Sequence, residues 1–251
     1  MANHTNSARD NAVAARGDLS RFVVHLTRDD TKSYSNGQSA RDNLKAIVHE
    51  CTVGAFSPHC LHMKQIPKEH HDAFAVCCFT ETPLSELHLL TRRIPGRSIE
   101  LSDYGIVFSR QFLISKGAQP ALYLNLYDNN ERLRDAARSV HEIVAENGFR
   151  RSGLAQLLPF LNTMNERHDF AWEREWRIAG DLNFDPRDIV AVILPETGER
   201  KLTHKYLERG IPVISPAWST ERIVAEFSEQ ARTVRRIWRK RVPKTERKRA
   251  R

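Results

Sequence analysis

The chain has 251 residues, of which 40% are apolar and 28% charged, the make-up of one ordinary soluble domain, or at most a domain with tails, long enough to bury a core. Four cysteines are too few for a disulfide scaffold. No charged-then-apolar leader and no run of ~18 apolar residues is present, so the expectation is a cytoplasmic protein with no membrane contact. The net charge of +8 is unevenly spread: residues 232–251 hold 11 Lys or Arg against the single acid Glu246, whereas the first 231 residues carry 28 bases and 30 acids.

In chain order, residues 1–18 carry no hydrophobic period and are read as a disordered segment. Residues 21–27 alternate as a strand, with Phe22, Val24 and Leu26 on a core face and Val23, His25 and Thr27 on a face that carries polar groups. Residues 39–50 read as a helix capped by Ser39, with Leu44, Ile47 and Val48 on one stripe. Residues 74–80 form a strand that runs into a helix opening at Pro83. Two further strands follow at 104–109 and 121–126, then an amphipathic helix over 131–146 stopped by Gly148. A helix bent near Pro159 is expected over 152–165.

The last third returns to strands. Residues 172–178 and 189–194 flank the turn-rich stretch 180–188 and read as a neighbouring pair. A helix over 197–209, a short edge strand at 211–215 and a final helix burying Ile223, Phe227, Val234 and Trp238 complete the chain. The irregular mixing of strands and helices predicts an α+β fold with a single mixed β-sheet and surrounding helices over residues 19–231. The final helix enters a basic tail over 232–251. Arg235, Arg236, Arg239, Lys240 and Arg241 in that tail are the residues expected to contact nucleic acid, if the segment is more than a solvated end.

The segment 171–178, Ala-Trp-Glu-Arg-Glu-Trp-Arg-Ile, carries the densest chemistry. On one continuous strand Glu173, Glu175 and Arg177 point one way, while Trp172 and Trp176 anchor the other face. Two carboxylates at this spacing raise each other's cost of ionisation unless a cation offsets it, which suits an acid/base or cation-stabilising pair; the plainer reading is a solvated strand face with a Glu175–Arg177 ion pair. His25 with Thr27 and Arg28 ends the first strand, and residues 79–82, Phe-Thr-Glu-Thr, sit at another strand-to-loop transition that either clamps a ring or caps the next helix. Cys51, His59, Cys60, His62, His70, His71, Cys77 and Cys78 lack any Cys-x-x-Cys pair, so no metal site is expected. No phosphate-binding glycine loop, serine-nucleophile elbow or His-Glu-x-x-His motif occurs.

The ordered pieces Val-Val-His25-Leu-Thr-Arg, Asp-Asn43-Leu-Lys-Ala-Ile-Val, Cys-Phe79-Thr-Glu-Thr-Pro-Leu-Ser-Glu-Leu, Tyr104-Gly-Ile-Val-Phe and Trp-Glu-Arg-Glu175-Trp-Arg-Ile resemble the abortive-infection AbiGi family of phage-resistance proteins over residues 19–215. More distantly they are similar to ADP-ribosyltransferase folds of the DarT type, which modify nucleic acid. The first resemblance implies phage defence and an antitoxin-like partner of a toxin. The second implies NAD as substrate: His25 and Thr27 hold its ribose and amide, Phe79 or Tyr104 stacks on nicotinamide, Arg28 or Arg41 holds the phosphates, Glu175 is the catalytic acid and Glu173 orients the acceptor, nucleic acid or protein. No clear Ser-Thr-Ser element is present; Thr80-Glu81-Thr82 stands loosely in its place.

Overall fold

The computed structural model describes residues 20–30, 37–55, 57–58, 66–94, 99–148, 153–166 and 169–241, with side chains as far as Arg232 in the last helix. The N-terminal segment 1–18 and residues 242–251 therefore lie outside the described residues, as do the side chains of Val234, Arg235, Arg236, Trp238, Arg239, Lys240 and Arg241. The elements run β1 (Phe22–Leu26), α1 (Ala40–Glu50), β2 (Thr52–Val53), β3 (Ser57–Pro58), β4 (Ala75–Thr80), α2 (His88–Thr91), β5 (Gly105–Ser109), α3 (Arg110–Ser115), β6 (Gln119–Pro120), β7 (Leu122–Asn125), α4 (Glu131–Asn147), β8 (Leu161–Met164), β9 (Glu175–Ala179), β10 (Leu182–Asn183), β11 (Ile189–Ile193), α5 (Arg200–Glu208), β12 (Val213–Ile214) and α6 (Thr220–Arg241).

A mixed, mostly antiparallel main sheet is present, but the expectation of a single sheet is corrected: β2 with β10 and β7 with β8 form two further two-stranded sheets. The strand order of the main sheet is β12-β11-β5-β1-β4-β9-β6, with β3 also paired to β4. Only β11 and β12 run parallel within it. The pair β1–β4 meets through one register pair, Val24 with Thr80, whereas β1–β5 and β4–β9 each pair along five residues. The sheet is thus two well-zipped halves joined at a narrow seam, and the strands that carry His25, Phe79 and Glu175 lie side by side across it.

Both faces of the sheet are core. Val23, Ile106, Phe108, Cys77, Phe79, Trp176, Ile178 and Val192 pack beneath α1 and α5 through Leu44, Val48, Leu202 and Tyr206. The opposite face packs Val24, Leu26, Val107, Ala191 and Ile193 against Leu84, Leu87, Leu90 and Ile223. The expected polar face of β1 is therefore corrected: α1 covers it, because Ser39 accepts a hydrogen bond from the Asp42 amide and starts the helix where its apolar stripe meets that face.

Three further expectations are corrected. Residues 153–160 form a 3-10 turn that gives way to β8, since Pro159 lacks the amide a continuing helix needs. β8 and β7 form a separate parallel ladder, so residues 122–125 leave the main sheet. β9 and β11 are not neighbours; β4, β1 and β5 lie between them. The short strand at 213–214 does lie at an edge, and the Gln230 side chain covers it by accepting from the Val213 amide at 2.8 Å and donating to its carbonyl at 2.7 Å.

Candidate active site

The segment singled out for its charges does not form one continuous strand. Residues 171–173 make a 3-10 turn and Arg174 has φ of 51°, so strand alternation begins only at Glu175. Trp176 is buried as expected, but Trp172 is 45% exposed and anchors nothing. Glu175 and Arg177 share one face and Trp176 and Ile178 the other.

Arg177 is 1% exposed, the largest fully buried side chain described. A buried guanidinium has to satisfy its donors internally. Nε and Nη2 fork onto Glu175 at 3.0 and 2.8 Å, and Nη1 donates to the Pro159 carbonyl at 2.8 Å. The Tyr123 hydroxyl donates to Glu175 Oε2 at 3.0 Å. Burial by itself would raise the Glu175 pKa, but the Arg177 fork, aided by the Cys78 thiol and Tyr123, outweighs it and holds the carboxyl below its ordinary value. Glu175 is therefore ionised at neutral pH. The same burial beside a carboxylate pushes the Cys78 thiol and the Tyr123 phenol up, keeping both as neutral donors. The reading of a solvated ion pair on an exposed face is corrected.

Glu175 lines a cleft of about 180 Å3 together with Glu81, Pro120, Tyr123, Arg174 and Trp176, closed by Ala121 and Ala171. Glu81 follows β4 and is 7% exposed. Arg110 Nη1 donates to its Oε1 at 2.6 Å, the Trp176 indole donates to Oε2 at 3.0 Å, and Arg174 Nη2 stands 3.8 Å from Oε2. Two carboxylates thus meet at the end of β4 and β9, each fixed by its own arginine. Glu173 is not part of the lining; its carbonyl accepts the Thr80 hydroxyl at 2.6 Å. Arg110 and Tyr123 were not expected at the site, and Glu81 was expected only as part of the Phe-Thr-Glu-Thr segment, without a role of its own. Only the carboxylate of the Phe-Thr-Glu-Thr segment carried a signal, since Arg110 and Tyr123 arrive from distant elements.

The remaining expected site residues fall into two groups. His25 and Phe79 are brought together, with ring centroids 5.7 Å apart, and Phe79 is the register partner of Trp176. Directly opposed residues share a face, so His25, Phe79 and Trp176 form a row on the α1 side while Glu175 points to the other side. The imidazole is half-buried and hydrogen-bonded through Nδ1 to the Cys78 carbonyl at 2.9 Å. Burial lowers its pKa, so it is neutral. Phe79 is 3% exposed and its ring is spent on the core. An arrangement with His25 and Glu175 facing one hollow is not formed.

Thr27, Arg41 and Tyr104 gather at the far end of β1. The Thr27 hydroxyl lies 2.8 Å from the Ala40 carbonyl and 3.1 Å from that of Tyr104, and Glu199 accepts from both the Tyr104 hydroxyl at 2.8 Å and Arg41 Nε at 2.7 Å. The Arg28 carbonyl takes the Asn43 side-chain amide at 2.9 Å. These contacts latch α1 to the strand ends and contribute no residue to the cleft. Of the Cys- and His-rich stretch, His59, Cys60 and His62 lie outside the described residues, and among the described residues no three His, Cys, Asp or Glu gather as a metal would need. Among them, too, no helix is long and apolar enough to cross a membrane. Compared with known proteins, the chain matches no family model, no curated protein and no solved structure.

Proposed function

We propose that the cleft at the ends of β4 and β9 transfers ADP-ribose from NAD to an acceptor, nucleic acid or protein, and that the protein does this in phage defence. One observation carries the reading: Glu175 is ionised, rigidly forked by Arg177 and set in the wall of a cleft. Breaking the nicotinamide–ribose bond sends the bonding pair out with nicotinamide and leaves positive charge on the ribose carbon. A fixed anion there stabilises that charge as it develops. The acceptor then bonds to the same carbon, and its proton passes to a carboxylate; Glu81 lines the cleft and takes the part that the resemblance gives to Glu173. At about 180 Å3 the cleft is smaller than the roughly 300–1,000 Å3 of pockets that enclose a whole ligand, so it takes the ribosyl–nicotinamide portion and leaves the rest of NAD on the surface. The adjacency of the strands carrying His25, Phe79 and Glu175 supports the ordered resemblance, but His25 then lies against Phe79 on the face of the sheet opposite Glu175.

Labelled NAD with mixed protein and oligonucleotide acceptors reads this out directly. Glu175→Gln should cut transfer at least 100-fold in a folded protein, and Glu173→Gln should stay within a few-fold of the parent. Absence of NAD binding to the folded parent, or transfer indifferent to Glu175→Gln, overturns the reading.

A second reading has its own support. Each oxygen of Glu81 and Glu175 already accepts a hydrogen bond or ion pair from within the fold, as a purely structural network would require. The protein is then a non-catalytic antitoxin-like partner of a toxin. Stable co-purification with a neighbouring gene product, with no NAD turnover by either, selects it.

A further inference from the structure

Glu175 has no acceptor position to spare. A carboxylate accepts hydrogen bonds in about four directions. The Arg177 fork occupies one on each oxygen, and the Tyr123 hydroxyl takes a second on Oε2 at 3.0 Å. The Cys78 thiol, carried by the register partner of Arg177, bonds the same carboxylate. A ligand that reaches Glu175 through the cleft therefore has to replace one of these donors.

How each donor is held decides which one yields. Arg177 is 1% exposed and its third donor is spent on the Pro159 carbonyl at 2.8 Å, so its departure would strand a buried charge. Cys78 is fixed within β4, which pairs with β9 along five residues. Neither residue lines the cleft. Tyr123 does line it and is only half-buried. It comes from β7, which has left the main sheet and pairs with β8 in a ladder of two strands. A phenol can turn about its own side-chain bonds while the ladder stays intact, and its hydroxyl then bonds water instead.

We propose that the Tyr123 hydroxyl keeps the place of a ligand hydroxyl: a sugar O–H entering the cleft takes over the bond to Glu175 Oε2 as the phenol turns away. The inference rests on the transfer reading for the identity of that sugar, the ribose next to nicotinamide. To that reading it adds a control on the site, since the chain sets its own affinity for the ribose through a competing side chain. One O–H donor replaces another, so no proton changes owner. A hydroxyl suits this place better than an ammonium or guanidinium, because Arg177 already balances the Glu175 charge and Arg174 stands in the same lining.

Calorimetry of NAD binding to the full chain compares the parent with Tyr123→Phe, which keeps the ring and removes the competing hydroxyl. The variant should bind NAD about threefold more tightly or better. That gain should vanish with an NAD analogue whose nicotinamide ribose lacks both hydroxyls. In the parent labelled at the tyrosine ζ carbons, with the Tyr123 resonance assigned by its loss in Tyr123→Phe, NAD should shift that resonance. If thermal unfolding shows the variant to be poorly folded, the resonance in the parent decides alone. The inference is overturned by NAD affinity in Tyr123→Phe no better than the parent's, by an equal gain with the deoxy analogue, or by an unmoved Tyr123 resonance at NAD saturation. Any of these alongside Glu175-dependent transfer leaves the transfer reading intact. Tighter, hydroxyl-dependent binding with no transfer by either protein costs the transfer reading and keeps the inference, and absence of NAD binding by both proteins overturns the two together.

Discussion

Arg177 is the residue on which the cleft depends, because a guanidinium with 1% exposure is tolerated only while its partners stay in place. Arg177→Met leaves Glu175 buried with its charge unopposed, and chemical denaturation should show a loss of about 3–5 kcal/mol. The double change Glu175→Leu with Arg177→Met should recover much of that loss, since an apolar pair leaves no charge stranded. Arg177→Lys will not restore the parent, because an ammonium cannot fork onto both Glu175 oxygens. Protonation acts on the same network. The folded Glu175 pKa lies below its ordinary value, so its contribution is complete above that value and disappears as pH falls through the folded one. His25 contributes in a different window. Burial lowers its folded pKa below 6.5, so below that pH the unfolded chain takes up a proton the folded imidazole refuses, and stability declines as pH drops. The midpoint of urea unfolding followed between pH 7.5 and 5.5 should fall, and His25→Asn should flatten the decline; an unchanged slope in that variant removes His25 as its source.

At the scale of elements, close approach between β1 and β5 fixes the half-sheet that supports His25. Gly105 pairs with Leu26, and a Cβ there would stand 2.7 Å from the His25 carbonyl oxygen. Backbone cannot yield as a flexible side chain does, so Gly105→Ala should cost about 1–3 kcal/mol and broaden the amide signals of both strands. The apolar period made β1, α1, β4, β5, α4 and β11 readable in the sequence, because each is long enough for one stripe or alternation to repeat. The segment before β9 was not readable. Its alternating charges fit a strand from residue 172, yet the left-handed turn at Arg174 halts the alternation and moves Trp172 from core to surface. Residues 161–164 were hidden for a related reason: an apolar stretch around Pro159 matches a bent helix as well as a turn followed by a strand.

For the molecule as a whole, the body and its tail are electrostatically different objects, with the first 231 residues near neutrality and the last 20 strongly basic. Attraction to polyanions should follow the tail and fade with salt. Replacing Arg235, Arg236, Arg239, Lys240 and Arg241 by Gln should weaken oligonucleotide binding and lower the slope of log affinity against log salt by roughly 0.7–0.9 for each phosphate that is no longer neutralised. Thermal unfolding of the body reports whether the helix survives the change, and an unaltered salt slope would rule the segment out as the binding element. By itself the sequence determined the periodic elements, the mixed sheet, the edge position of the last strand and the placement of charge along the chain, since each follows from local spacing or from counting. Tertiary structure alone decided that Glu81 shares a cleft with Glu175, that Arg177 is buried and forked, and that His25 faces away from Glu175. Those facts depend on which strands become neighbours and in what register, and a shift of one residue exchanges one face of a strand for the other.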